Sequence, residues 1–331
     1  MNRSPAILIA VVAACLTTGS DSPAADSFVR PGDGVDSQLP VWGHKAGLQI
    51  GLAPTPGPRG LIRVYAPFLG QVFPRVVNYI SIEPSVRGQQ GRDQSELQIS
   101  REHPESRGLS FWSTDTIDAP RVADPVGGVL GRQQKTLRVF IHTEPFQNGA
   151  QPVIECVFRE QAPYEIEFVT HAAEGSAPMT SCVLSATMGN YGQLRDIHLK
   201  DGRVATALDL WKGDQLDAFG FFPWRTWSTN QLALDQHGTV SVPISSDAPD
   251  PAAVEYDANV ARHWRYVGKK AVHYWRANRD ANPVVAVNGR RNYWMSNSPV
   301  PGGPAFENFE IRVAFKPGNR LWFGVRPDDE P

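Results

Sequence analysis

Apolar and polar residues alternate at period two through most of this chain, and no other feature constrains its fold as strongly. In LRVFIHTE, Leu137, Val139 and Ile141 share one face, while Arg138, Phe140 and His142 take the other. VVNYISIEP sets Ile80 and Ile82 against Tyr79, Ser81 and Glu83. The rhythm returns in PVIECVFR (152–159), YEIEFVTHA (164–172), MTSCVLSATMG (179–189) and LRDIHLKDGR (194–203). Near the C-terminus, Phe309, Ile311, Val313 and Phe315 face inward, a KPGN turn follows, and Leu321, Phe323 and Val325 continue. Successive side chains of a strand point to opposite faces, so this pattern describes antiparallel sheets with one face buried. Glycine (29) and proline (28) are abundant in the 331 residues, as many tight turns require.

The expected fold is therefore all-β, a large antiparallel β-sandwich over residues 39–327. Two abutting sandwiches divided near 110–136 are the alternative, because FWSTDTIDAPRVADPVGGVLGRQQ is rich in turn residues. One stretch breaks the alternation. Asp250 followed by Pro251 reads as a helix cap, and Ala253, Asp257, Val260, Ala261 and Trp264 fall at near-helical spacing. The spacing predicts a helix over 251–266, and AVHYWRANRD (271–280) reads as a strand or a second short helix.

Residues 1–14 read as an export signal, with Arg3 ahead of an apolar core too short to span a membrane. Val12-Ala13-Ala14-Cys15 resembles the bacterial lipoprotein processing box, which makes Cys15 a lipidation site. Ordinary cleavage near Ala25 would instead leave a soluble periplasmic or secreted protein. Residues 15–38, rich in Ser, Gly, Pro and Asp, read as a flexible tether. The chain is thus expected on the bacterial cell envelope, meeting the membrane only through a lipid at Cys15. Cys156 and Cys182 remain after processing; an oxidising compartment invites a disulfide between them, and two buried free thiols are the second reading.

Several chemistries have no support. A formal charge of −2 and the absence of a Lys/Arg run give no reason to expect a nucleic-acid partner. There is no HExxH, no phosphate-binding glycine loop, no dinucleotide fingerprint and no nucleophile elbow. The eight histidines are scattered singly. No metal and no cofactor are expected.

What remains is aromatic rings beside arginines: FFPWRTW (221–227), HWRY (263–266), HYWR (273–276) and RRNYW (290–294). Rings stack on the apolar faces of sugars, and guanidinium forks match carboxylates. The 288–310 stretch is the densest, offering Arg290, Arg291, Asn292, Tyr293, Trp294, Glu307 and Asn308 around a Pro/Gly loop. Trp224, Trp227 and Trp275 join them as candidate sugar contacts. A second group surrounds TMGNYGQLRDIHLKDG, with Tyr191, Arg195 and His198. Tyr191 and Arg195 have one strand parity and His198 the other, so only a turn or bulge brings them to one cleft. His171 shares the parity of Glu165 and Glu167. Each cluster also has a plain reading as cation–π packing or a solvated polar row.

The exported leader, the long run of antiparallel strands and these Trp, His and Arg residues resemble carbohydrate-active proteins of the galactose-mutarotase-like supersandwich type, including polysaccharide lyase sandwich domains. The likeness covers roughly residues 40–327 and carries no catalytic motif to a numbered position. It implies an oligo- or polysaccharide partner. The first expectation is elimination on acidic glycans, with arginine neutralising a uronate and Tyr or His moving protons; Tyr191, His171, His198, Arg290 and Arg291 are the candidate catalytic residues. A glycoside hydrolase would need two carboxylates, for which Glu307, Glu310, Asp209 and Glu174 are candidates. A non-catalytic carbohydrate-binding module or a structural envelope protein would fit the same composition.

Overall fold

The computed structural model describes residues 27–31, 41–53, 58–71, 75–122, 128–131, 135–235 and 238–329. Within them the alternating segments become strands of two large sheets. The first, nine strands wide, runs edge to edge as β1 (Phe28–Val29), β2 (Val41–His44), β3 (Gln49–Gly51), β4 (Leu61–Tyr65), β5 (Asn78–Val86), β11 (Met179–Thr187), β19 (Ala305–Arg312), β18 (Val284–Arg290) and β14 (Phe221–Ser228). The second runs β13 (Val204–Thr206), β12 (Leu194–His198), β16 (Thr239–Ser246), β17 (Ala271–Asn278), β20 (Asn319–Pro327), β10 (Ala162–Ala172), β9 (Pro152–Arg159), β8 (Thr136–Thr143) and β6 (Phe111–Thr114). Two short strands complete it, β15 (Ala233–Leu234) beside β16 and β7 (Val129–Leu130) beside β8. All pairings between these strands are antiparallel.

The inward faces are those the alternation marks. Leu137, Val139, Ile141, Ile80, Ile82, Ile311, Phe323 and Val325 are buried in one apolar cluster that runs through both sheets. Trp275 sits in it fully buried, and its indole Nε1 of the second sheet donates to the Phe309 carbonyl of the first, at 2.9 Å. His273 is also enclosed; burial depresses it to about 3, so it stays neutral in the folded chain.

Four expectations need correction or placing. The predicted helix over 251–266 is a series of turns with a single 3-10 turn at Arg262–Trp264. Asp250 does cap, but its Oδ1 accepts only the Ala252 N–H in a local turn; of the five spaced residues only Val260 is buried, too little apolar surface to hold a helix against the sandwich. Residues 271–278 are strand β17, followed by a 3-10 turn at Arg279–Ala281, and the one α-helix among the described residues is Ala207–Leu210. The tether expected over 15–38 includes Phe28 and Val29, which pair with β2 and are buried. The signal, Cys15 and residues 16–26 and 32–38 of that tether lie outside the described residues. Cys156 and Cys182 are free buried thiols in different sheets, not a disulfide. Burial raises both, Cys182 to about 12, so neither is poised as a thiolate.

Candidate functional site at one end of the sandwich

Four connections meet at one end of the molecule: those joining β4 to β5, β11 to β12, β16 to β17 and β18 to β19. Between them opens a cleft of about 600 Å³ lined by Arg75, Ala252, Val254, Tyr256, Arg262, Arg265, Tyr266 and Val267. Its floor is built by close backbone approach. The β16–β17 connection folds back onto the first sheet's rim, where the Lys269 N–H donates to the Leu69 carbonyl at 2.8 Å. Gly268 makes this fit, since its φ is +91° and a Cβ there would sit 2.4 Å from the Leu69 oxygen. The turn before β12 holds two non-glycine residues in left-handed conformation, Met188 (φ 80°) and Gln193 (φ 48°). That turn swings Tyr191 under the cleft, as its parity alone would not.

Polar contacts fix the tyrosines. The Tyr256 oxygen accepts from Gln193 Nε2 at 2.9 Å and from the Tyr266 N–H at 2.8 Å. Tyr266 donates its hydroxyl to the Lys269 carbonyl at 2.8 Å. Tyr191 is buried, tilted against Tyr266 at 5.3 Å, and its oxygen accepts from Arg75 Nε at 2.9 Å. Burial raises the Tyr191 phenol, and the Arg75 charge opposes that rise. Burial also drives Tyr266 well up, reinforced by Tyr191 and Asp250.

Several arginines elsewhere in the chain are ion-paired, and among the described residues those at the cleft are not. Arg92, Arg159, Arg195, Arg276 and Arg290 each lie within 3.5 Å of a carboxylate oxygen. Arg75, Arg262 and Arg265 make no ion pair among the described residues. Arg75 donates to Tyr191 and to the Arg265 carbonyl, and Arg265 Nε donates to the Val260 carbonyl at 3.3 Å. No lining residue is acidic. A concave, cationic, tyrosine-bearing site of this size suits an anionic group of a ligand.

The predicted site residues disperse around this cleft. Tyr293, fully buried, stacks on Trp264 of the β16–β17 connection at 5.3 Å, and Tyr191 packs on Tyr266 of the same connection, which thus joins the 288–310 loop to the Tyr191 turn. Arg195 joins them structurally: buried, it donates to the Pro301, Gly303 and Pro304 carbonyls and pairs with Asp247 at 2.8 Å, leaving no fork for a ligand. Trp227 and Trp275 are core residues, not sugar contacts. His171 hydrogen-bonds Glu155 at 3.1 Å on the second sheet's outer face, and His198 meets Ser245 Oγ at 3.0 Å on the same sheet. Four strand spacings separate their strands, about 19 Å, so they form no catalytic pair. Arg291 is exposed, 5.9 Å from the Phe222 ring. Asn292 bridges Pro299, and Asn308 donates its N–H to Asn288 Oδ1 at 3.1 Å.

Arg290, Trp294 and Glu307 form a separate cluster. The Arg290 guanidinium lies 3.8 Å from the Phe221 ring centre and 4.3 Å from that of Trp294, with Glu307 at 3.5 Å. Trp224 stands between two guanidinium groups, Arg312 at 4.6 Å and Arg92 at 5.6 Å. Nothing in the sequence singles out Arg92 and Glu83, yet they anchor a charge network with Glu310 and Arg312. Arg92 binds both oxygens of Glu310 at 2.6 and 2.9 Å and reaches Glu83 at 2.6 Å. Ser185 and Arg312 also donate to Glu310, at 2.9 and 2.6 Å. Glu310 is fully buried and saturated, Asp209 accepts from Thr206 Oγ1, and Glu174 is exposed on a turn. None of the four candidate hydrolase carboxylates lines the cleft.

Glu307 provides a pH test. Burial is the leading cause that raises it to about 7, with the Glu96 charge adding and Arg290 opposing. A carboxyl raised in the folded state contributes stability below its unfolded value near 4.5, and loses it as pH climbs through 7. His273 acts in the opposite sense, because its depressed value removes stability as pH falls below 6.5. The difference between E307Q and the parent isolates the glutamate. E307Q is expected to match the parent near pH 4.5 and to exceed it by up to about 3 kcal/mol at pH 8, as read by urea unfolding. A pH-independent difference would mean that Glu307 is not held protonated.

No protein-family model matches this chain, and no curated protein is similar to it.

Proposed function

We propose that this chain binds acidic oligo- or polysaccharides in the end cleft, with Arg75, Arg262 and Arg265 receiving the carboxylates or sulfates. The single observation behind this reading is that these guanidinium groups gather around Tyr256 and Tyr266 with no carboxylate among the lining residues. Guanidinium forks supply charge-assisted hydrogen bonds, and phenol rings supply contact area at low entropy cost. Elimination is a second reading that one feature favours. Tyr256 accepts two N–H groups on its phenol oxygen, which leaves its own O–H to be given to the departing sugar oxygen, while water takes the C5 proton of a uronate whose charge an arginine neutralises.

Calorimetric titration with length-matched uronate, sulfated and neutral oligosaccharides tests the proposal. Acidic ligands are expected to bind, weakening as salt rises, while neutral ones do not. Equal binding of neutral and acidic chains, or no binding of either, would refute it. Unsaturated uronate appearing by ultraviolet absorbance would add elimination to binding.

A further inference from the structure

A bulge places the carboxyl group of Glu307. Val287 pairs with Phe309 and Gly289 with Phe306, so Glu307 and Asn308 of β19 together stand opposite Asn288 of β18. The extra residue lets Phe306 and Phe309 both face the core and turns Glu307 to the side of Arg290. Glu307 is 8% exposed, and its Oε2 has no hydrogen-bond partner among the described residues. Its Oε1 stands 3.5 Å from Arg290 Nε, a nitrogen that also lacks a hydrogen bond there. The Phe221 and Trp294 rings, 3.8 and 4.3 Å from the guanidinium, hold it at that distance.

Charge at this bulge is unbalanced. Three carboxyl groups act on the one guanidinium, those of Glu307, Asp217 and Glu96. Arg290 is the one cation that acts on Glu307 and on Glu96. Asp217 spends its Oδ1 on the N–H groups of Phe219 and Phe221, at 2.9 and 2.8 Å. Glu96, half-buried on the β5–β6 connection, makes no side-chain hydrogen bond or ion pair among the described residues. Burial raises Glu96, and the Glu96 charge adds to burial in raising Glu307, so the two carboxyls repel one another. Buried carboxyls short of donors call for a partner. No three His, Cys, Asp or Glu side chains among the described residues are placed to hold a metal ion. An ammonium instead brings three N–H donors and a positive charge on one atom. Trp294, 41% exposed and 6.2 Å from Phe221, offers ring surface for the carbon skeleton that carries it. We propose that Glu96 and Glu307 form a site for the primary ammonium group of a small organic amine. The inference is independent of the saccharide reading, which rests on other residues at the cleft.

Calorimetric titration tests it with putrescine beside butane-1,4-diol, its uncharged counterpart. Putrescine is expected to bind and the diol is not. Glucosamine beside N-acetylglucosamine repeats the comparison, and binding tighter than that of putrescine would place the ammonium on a sugar. Putrescine affinity is expected to rise about tenfold from pH 6 to pH 8, because Glu307, raised to about 7 by burial, must ionise to pair with it. Glu307→Gln is expected to bind putrescine at least about tenfold more weakly, at a melting temperature no lower than the parent's. Glu174→Gln, at an exposed turn, is expected to bind like the parent. No binding of either amine, equal binding of the diol, a flat pH profile, or a Glu307→Gln variant that binds putrescine as tightly as the parent would overturn the proposal.

Discussion

Arg92→Ala is expected to lower the unfolding free energy by about 3–5 kcal/mol, because it strands two buried carboxylates. Glu310 has no exposed side-chain surface and Glu83 has 4%, while Arg92 itself retains 20%. Removing one member of a buried ionic group costs far more than the group contributes, since the remaining charges keep their desolvation cost. Arg312 still pairs with Glu310, so Glu83 suffers most. Burial and the Glu310 charge already raise Glu83, with Arg92 opposing. Without Arg92 the carboxyl escapes by protonating, and the penalty is expected to shrink as pH is lowered. Urea midpoints at pH 5 and pH 8, with an unchanged m-value, check this. A loss under about 1 kcal/mol at pH 8 would put the cluster in the class of exposed pairs, to which Arg121–Glu102, at 44% and 36% exposure, belongs.

Trp275→Ala carries a loss of similar size from a different cause. The indole fills the space between the sheets, against Phe323 at 4.9 Å and Phe168 at 6.3 Å, and its N–H satisfies the Phe309 carbonyl across the gap. Truncation removes the transfer energy of the ring and leaves a cavity, together about 3–5 kcal/mol. Trp275→Phe keeps most of the volume and is expected to lose less than half as much. Thermal or urea unfolding of both variants distinguishes core packing from surface stacking. An alanine variant as stable as the parent would place Trp275 outside the core.

The strands were legible because burial on one face imposes a period that local sequence records. LRVFIHTE reads as it folds, with Leu137, Val139 and Ile141 inside. The same period misleads where aromatic and cationic residues are merely adjacent. Trp275 and Arg276 are neighbours in sequence, so the strand sends one into the core and the other outward to Glu165 and the Trp322 ring. Trp–Arg adjacency within a strand therefore cannot build one sugar platform. Helical spacing over 251–266 misled for a related reason, since spacing says nothing about whether a facing surface exists; that segment spends Tyr256 and Tyr266 on the cleft instead.

The site itself was only partly readable. Tyr191, Tyr293 and the HWRY stretch stand out through their residue types, and they do converge. Arg75 and Arg92 escape a sequence reading because each sits in a connection with no periodicity, and their partners are distant in the chain. Arg75 meets Tyr191 across 116 positions and Arg92 meets Glu310 across 218. A left-handed turn at Met188 and Gln193 decides where Tyr191 points, and neither residue type announces that conformation.

The most direct test of the acidic-saccharide site is the affinity of an Arg262→Ala, Arg265→Ala double variant for a uronate oligosaccharide, measured by calorimetry beside the parent. Both side chains are exposed and outside the apolar core, so folding is expected to be unaffected. Each lost charge-assisted contact corresponds to about a tenfold drop, which predicts about a hundredfold weaker binding at an unchanged melting temperature. A double variant that binds the oligosaccharide as tightly as the parent would contradict the assignment of the cleft.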